Sequence, residues 1–426
     1  MIYSISDKPK TMKEWVLYSL QQCLSVWVAT VLIASICGTP TSSCLFGACI
    51  GTILYQFITG FKSPMFISSC GATCSAVIGA LALGNCGQNY AAVAIGGLII
   101  FVIYAMFAWI VKKYGIQSIN KVFPPTIVGA VTIVIGLNLA TFIPTYTQLN
   151  GVHSDIGIAI ALATMIVIAV TSHYFKGFLK TIPFLIGLAF GYGVSALLTV
   201  TGICNLIDFS AFKGISLFSM PDFAFLHWGN NVIDAGIIGR TALLFVPVAV
   251  CALLEHYSDH KVLSNIIGVD LTEKPGLHRT LLGDGFASFI GTVTCGLPNT
   301  SYGESIATVG FSKVASVYVL TVSALFIGLL SFLTPVQVFI SSIPPCVFGG
   351  CAMILYGFIA ASGLKTIISN KIDLEDNKNL IVVSAILTIG VSGIFFLSES
   401  FAGVSLAMVT GVVLNLILKT KGEING

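Results

Sequence analysis

Residues 124–135 read PPTIVGAVTIVI and residues 344–355 read PPCVFGGCAMIL. The proline pairs align, Gly129 falls on Gly349, and the aliphatic positions follow one another. A second match sets PMFISS at 64–69 beside PNTSYG at 298–303. The offsets, 220 and 234 residues, are those of one repeat with small insertions. Seven apolar spans separate the paired segments, and an odd number means that the two halves cross a membrane in opposite senses. Inverted repeats with interrupted helices are the architecture of secondary transporters, whose substrate site lies where the broken helices meet.

The composition supports a membrane setting. Of 426 residues, 56% are hydrophobic and 9% charged, and the mean hydropathy is +0.97. Soluble domains are roughly a quarter charged, so a soluble enzyme, a disordered chain and a nucleic-acid-binding domain are excluded. A net charge of +3 is too small for a phosphate-binding footprint. Apolar runs near 15–37, 42–60, 64–83, 91–111, 123–143, 155–174, 181–202, 234–257, 279–296, 298–312, 314–334, 338–363, 379–397 and 401–418 read as fourteen spans. The third and tenth are polar, glycine-rich and interrupted. The stretch 203–233 is expected to be an external loop with a short amphipathic helix.

Charge tests this count. With the N-terminus in the cytoplasm, eighteen of the twenty cationic residues fall inside: Lys8, Lys10, Lys13, Lys62, Lys112, Lys113, Lys121, Lys176, Lys180, Lys261, Lys274, Arg279, Lys313, Lys365, Lys371, Lys378, Lys419 and Lys421. Only Lys213 and Arg240 fall outside, as the positive-inside rule requires. Both termini are therefore expected in the cytoplasm, with no cleavable signal peptide. The twelve cysteines sit mostly in apolar runs as small hydrophobes, without metal-ligand spacing, and no metal is expected.

Spans three and ten each carry a short extended segment after a proline, then a glycine and a helix. Unpaired backbone at that depth is tolerated only inside protein or along a cavity. Helices starting at Gly71 and Gly303 would aim their positive ends at the membrane centre. The acids within spans cluster: Glu255, Asp259, Asp284 and Glu304. A carboxylate costs about 2.5–3.5 kcal/mol at a helix centre, which points to function. Glu255 and Asp259, four apart, share a helix face; two acids stacked there suit a residue that takes up and releases a proton. His256 and His260, four apart on another face, read as interfacial residues at a helix end, with a proton relay as the alternative; Arg240 reads as a side chain snorkelling to the outer interface, with attraction of anions as the alternative. Asp373, Glu375 and Asp376 read as a solvated loop. No phosphate-binding glycine loop, nucleophile–base pair or metal triad is visible, so no enzyme is expected.

The stretch EHYSDHKVLSNIIGVDLTEKPGLHRTLLGDGFASFIGT (255–292), followed by LPNTSYGESI (297–306), resembles the nucleobase–ascorbate transporter family, also called nucleobase:cation symporter type 2. GTILYQFITG at 51–60, the FPP run at 123 and YGFIAASG at 356–363 also fit. The resemblance implies an all-α polytopic membrane protein with fourteen segments in a 7+7 inverted repeat and short β-strands in segments three and ten. It implies a core domain from 13–113 and 234–334, and a gate domain from 121–203 and 338–420 that carries homodimer contacts. Glu255 matches the family's span-eight substrate glutamate. Glu304, with Tyr302 and Gly303, matches the span-ten glutamate of uracil-type members, and Tyr356 a gate tyrosine facing the site. Gly71 and Ala72 occupy the span-three part of the site. The sequence departs from the family pattern where Gln21-Gln22 replaces a Gln-His pair, and where Gly71 replaces an aromatic that stacks on uracil. Asp259 replaces a histidine, Ser305 an asparagine and Ala307 a glycine. Asp259 and Asp284 are of the purine type.

The implied substrate fits the residue chemistry. A carboxylate accepts from ring N–H groups, while backbone N–H groups near Gly71 and Gly303 serve carbonyls. The expectation is proton-coupled import of a nucleobase, uracil first, across a bacterial plasma membrane, with the proton on Glu255, Asp259 and Asp284 and sodium as the alternative ion. The rival substrate is xanthine or another purine. An anion exchanger or channel on the same fold is a further alternative, disfavoured by the acidic centre. No cofactor is expected; the partners are the nucleobase, the ion, the lipid bilayer and a second copy of the chain.

Overall fold

Pro124 and Pro344 are extended (φ −65°, ψ 154° and φ −60°, ψ 141°), and each caps a helix that opens on the following proline. Proline is suited to that first position because its missing N–H would have no intrahelical partner there. The computed structural model describes residues 1–84, 88–115, 124–149, 151–230, 233–396 and 398–418. Lys121, Phe123, Lys419 and Lys421 lie outside the described residues.

Fourteen helices follow the fourteen expected spans. They are α1 Met12–Cys37, α2 Thr41–Thr59, α3 Cys74–Leu81, α4 Tyr90–Tyr114, α5 Pro125–Ala140, α6 Asp155–Tyr174, α7 Pro183–Val200, α8 Ala235–Ile267, α9 Leu277–Cys295, α10 Gly303–Ser312, α11 Val317–Ser331, α12 Pro345–Ser369, α13 Asn377–Val391 and α14 Gly403–Ile417. Two short helices, Ile143–Thr147 and Thr334–Ser341, follow α5 and precede α12. Eight of the spans (α1, α2, α4, α5 with its short continuation, α6, α7, α8 and α12) are long and apolar enough to cross a bilayer alone. The others are shorter or less apolar and complete the 7+7 arrangement.

The proline-opened pair α5 and α12 pack on each other at backbone distance. A methyl group on Gly136 would come within 2.7 Å of the Tyr356 carbonyl, and one on Gly363 within 2.7 Å of the Ile133 nitrogen. Small residues permit this approach, and in a membrane such packing takes the place of a hydrophobic driving force. Elsewhere α9 lies against α2 and α4, with Asn299, just beyond α9, reaching the Gly47 carbonyl (3.0 Å).

Between α2 and α3 the chain forms strand β1, Ile67–Ser69; between α9 and α10 it forms β2, Asn299–Ser301. They pair antiparallel, Ser68 opposite Thr300, and Cys70 N–H extends the ladder to the Pro298 carbonyl (2.8 Å). The outer edge of β1 is served by Thr52, whose hydroxyl donates to the Ile67 carbonyl (2.8 Å) and accepts from its N–H (3.0 Å). Ser68 meets Thr30 at 2.6 Å, and Ser288 donates to the Asn299 carbonyl. Every strand residue is buried, so side-chain hydroxyls replace the water that an open sheet edge would need. The pairing corrects the sequence match: the symmetry that exchanges the strands relates Ser68 to Thr300, an offset of 232 rather than 234. Gly71 then corresponds to Gly303. Proline position misleads because Pro64 stands three residues before its strand and Pro298 one.

Three boundaries differ from expectation. Helix α8 continues ten residues past 257 and stops at Gly268, whose φ of 75° closes the helix. At 33 residues it is about 50 Å long. The polar run from Glu255 to Lys261 reads as a helix end, but its side chains find partners on α2, α9 and β2. Helix α12 starts at 345 rather than 338, because Thr334–Ser341 is a separate helix and Pro344 interrupts the path. A hairpin of β3, Phe395–Phe396, and β4, Ser398–Ala402, takes residues assigned to the ends of spans thirteen and fourteen. Among the described residues, the 203–233 stretch holds 3-10 helices at Phe209–Phe212 and Ala224–Asn230 and no α-helix. It is held down by Phe223 on Phe46 (5.1 Å).

Candidate functional site

On α8, Glu255 and Asp259 stand one turn apart and line the same cavity, about 290 Å³ in volume. Its other wall is the paired helices α5 and α12, which contribute Val128 and Thr132, and Ser362 and Thr366. This is at the small end of the range of ligand pockets, roughly 300–1,000 Å³, and it suits a single planar heterocycle. Lys261 and Asn370 lie at one end of the lining.

The antiparallel strands bring the two interrupted helices together. Cys70 and Ala72, at the start of the α3 segment, pack on Ala252 of α8, one turn before Glu255. Gly71 is half-buried, facing the side chains of Ile33 and Ile359 at contact distance from where a Cβ would stand. Gly303 is exposed, with open space on its Cβ side, and Glu304 beside it is half-buried. The Gln22 amide fixes this corner by donating to the Ser305 carbonyl (3.4 Å). Glu255 and Asp259 are each close enough to feel the charges of Asp284 and Glu304, and Asp259 that of Glu255. The acids singled out from the sequence thus form one cluster.

Of the expected substrate residues only Glu255 lines this cavity; Gly71, Ala72, Tyr302, Gly303, Glu304 and Tyr356 stand outside its lining. Tyr302 is buried behind the start of α10. Tyr356 is buried on α12 against Tyr146 rather than lining the cavity; the Tyr146 hydroxyl donates to the Ile36 carbonyl (3.2 Å).

The histidines correct the sequence reading outright. Both are fully buried, because α8 is still inside the protein at 260. His256 Nδ1 lies 2.6 Å from Asp284 Oδ2 on α9. His260 Nε2 meets the Tyr55 hydroxyl at 2.7 Å, and its Nδ1 side bonds the His256 carbonyl (2.8 Å). Asp259, which lines the cavity, also accepts from Ser301 at 2.7 Å. Lys261 pairs instead with Asp270 at 3.4 Å. In that loop the Thr272 hydroxyl at 2.5 Å holds the Asp270 carboxyl below its ordinary range, with the Thr272 N–H and Lys261 adding to it. Sequence reasoning missed Thr300, which donates to Asp284 at 3.2 Å, and Ser301. The signal available was their place just before Gly303.

Chemically, the arrangement offers carboxylate acceptors, a helix start that is exposed at Gly303, and hydroxyls around a small cavity. That suits an uncharged ring with alternating N–H and C=O groups. Among the described residues, no lysine or arginine forms an ion pair with any of the four acids.

Comparison with known proteins agrees with this architecture. Two solved structures share the fold over 96% of this chain: the transmembrane domain of a cyanobacterium bicarbonate transporter, BicA (TM-score 0.62, 13% identity, 99% of that chain), and SLC26A9 (TM-score 0.66, 12% identity, 66% of that chain). In sequence the chain is 36% identical to a uracil permease of Bacillus caldolyticus, over 98% of this chain and 94% of that protein. It is 34% identical to one of Bacillus subtilis (98% and 95%) and 33% to one of Escherichia coli (97% and 93%). The family model described as "Permease family", Xan_ur_permease, matches residues 13–399. A multi-pass membrane protein built as two inverted seven-helix halves around an acidic centre, the chain belongs to the nucleobase–ascorbate transporter family of permeases.

Proposed function

We propose that the protein imports a nucleobase, uracil in the first instance, by proton symport across a bacterial inner membrane, as a homodimer with both termini cytoplasmic. The observation that carries this reading is the cavity lined by Glu255 and Asp259 between α8 and the paired helices α5 and α12, with Glu304 close enough for its charge to act on both acids. The names of the full-length relatives favour uracil. A carboxylate at 255 and another at 304 accept from ring N–H groups, and the α10 backbone donates to a ring carbonyl. Concentrative uptake of a neutral base needs a coupled ion, and acids at the cavity are its natural carriers; sodium at Asp259 and Asp284 is the alternative. Gly71, with no ring to stack on a pyrimidine, favours a purine such as xanthine as the second reading. The acidic centre speaks against an anion as cargo.

Movement of α1–α4 with α8–α11 against α5–α7 with α12–α14 accounts for access from either side. The cavity lies between α8 of the first set and α5 and α12 of the second. Away from the Lys261 end the sets are tied by Tyr146 to Ile36 and by Ser405 to the Leu243 carbonyl (2.7 Å).

The test is uptake of radiolabelled uracil into proteoliposomes, competed by unlabelled bases. Uracil is expected to compete best, and Glu304→Ala to weaken its binding about tenfold or more, the scale of a charged hydrogen bond. Glu304→Gln replaces an acceptor with a donor and should weaken uracil more than xanthine. Uracil affinity within about twofold of the parent in Glu304→Ala, well short of that bond's worth, removes Glu304 from the site.

A further inference from the structure

We infer that Thr300 and Ser301 are positioning residues that convert the protonation of Asp284 and Asp259 into the placement of the α10 start at the substrate site. This rests on the proton-symport reading and deepens it. Neighbouring residues in a strand point to opposite faces, and β2 uses both faces in this way. Ser301 donates to Asp259 Oδ2 on α8 (2.7 Å), and Thr300 donates to Asp284 Oδ2 on α9 (3.2 Å). The strand is thus held between two acids by two hydroxyls, and both acids belong to the cluster that the cavity touches. Ser301 is two residues from Gly303, where α10 begins with open space on the Cβ side of the glycine and Glu304 next in the chain. What moves the end of β2 moves the N–H groups and the carboxylate offered to the substrate.

The chemistry of the bond supplies the switch. A hydroxyl donates to an ionised carboxylate through a short, charge-assisted bond. Once a proton sits on the carboxyl, that oxygen pair carries a donor of its own, and the hydroxyl must turn to accept or keep only an ordinary neutral bond. Each acid sees other titratable groups that set when this happens. Asp259 faces Glu255, Glu304 and Asp284, with Lys261 on its own helix turned to Asp270. Asp284 faces His256 and His260 from α8, Tyr55 from α2 and Tyr104 from α4. On the far side β2 is held by β1, and β1 by Thr52 and Thr30. Displacement is therefore directed along the strand towards α10.

The experiment compares Ser301→Ala and Thr300→Ala with the hydroxyl-keeping Ser301→Thr and Thr300→Ser in proteoliposomes. Two readouts are taken with radiolabelled uracil: accumulation driven by an imposed pH gradient, and uracil–uracil exchange at equal pH. The alanine variants are expected to lose about tenfold in gradient-driven accumulation, the worth of a hydrogen bond to a charged group, while exchange falls by under about threefold, the size of a weak neutral bond. Their uracil affinity should also vary less with pH than the parent's, and the hydroxyl-keeping variants should restore both properties. Equal losses in accumulation and exchange, with the pH profile of binding unchanged, would make the two hydroxyls structural and overturn the inference. A parent protein that binds and exchanges uracil without any response to the pH gradient overturns it too, while leaving the nucleobase reading standing. A parent that takes no nucleobase defeats that reading first.

Discussion

The Asp259 carboxylate faces the cavity on one side and the Ser301 hydroxyl on the other. His260, one residue on, is turned about 100° round the helix and is sealed between Tyr55 and the His256 carbonyl. A proton arriving through the cavity meets Asp259, with Glu255 one turn away, and does not meet His260. Asp259→Asn is therefore expected to abolish uracil accumulation under a pH gradient, with exchange retained, whereas His260→Gln still accumulates. Accumulation lost in His260→Gln and kept in Asp259→Asn would transfer the proton to the histidine. Glu255, Asp259, Asp284 and Glu304 were legible in the sequence because an acid within an apolar span needs a reason to be there. The histidines were misread because i,i+4 spacing says that two residues share a face and nothing of what stands opposite. Asp284 lies 28 residues from His256 and Tyr55 205 from His260, and only the packed fold brings each to its histidine. Gly71 and Ala72 came from the family resemblance; their correspondence to Gly303 and Glu304 follows only from the strand register.

At the level of elements, the proline pairs stand at the starts of α5 and α12 because a proline's fixed φ and missing N–H act locally, although span twelve was drawn from 338, ahead of its pair. The length of α8 was not legible, since one face of its last ten residues, His260, Leu263 and Ser264, is buried against partners distant in sequence. The α5–α12 crossing gives a direct test of packing. A side chain at Gly136 meets the backbone of Tyr356 and Ala360, which cannot turn aside as a side chain can. Gly193 on α7 faces open space. Gly136→Val should lower stability in detergent by about 1–3 kcal/mol, the usual result of overpacking, read as a fall in thermal midpoint. Gly193→Ala should leave the midpoint within experimental scatter. Similar midpoints for both would mean that α5 and α12 are free to separate.

For the whole molecule, access is a question of which helices travel together. Ser258 on α8 and Thr366 on α12 both line the cavity, from the two sets of helices. With Ser258→Cys and Thr366→Cys joined by a bifunctional thiol reagent, uracil uptake should stop while uracil binding persists. Undiminished uptake in fully bridged protein would show that the sets do not move against each other. The inverted repeat was legible because its prolines and glycines carry backbone geometry that side-chain drift does not erase, although the strand register escaped by two residues. That repeat also sets a timetable. Strand β1 leaves the ribosome 232 residues before its partner, which at about 5–20 residues per second is a wait of roughly 10–50 s. Through that interval the nascent chain carries Ile67–Ser69 with only Thr52 and Thr30 to satisfy it. The first seven helices are in this sense an unfinished product, and translation arrested between the halves leaves the insertion machinery holding a strand that only the second half can complete.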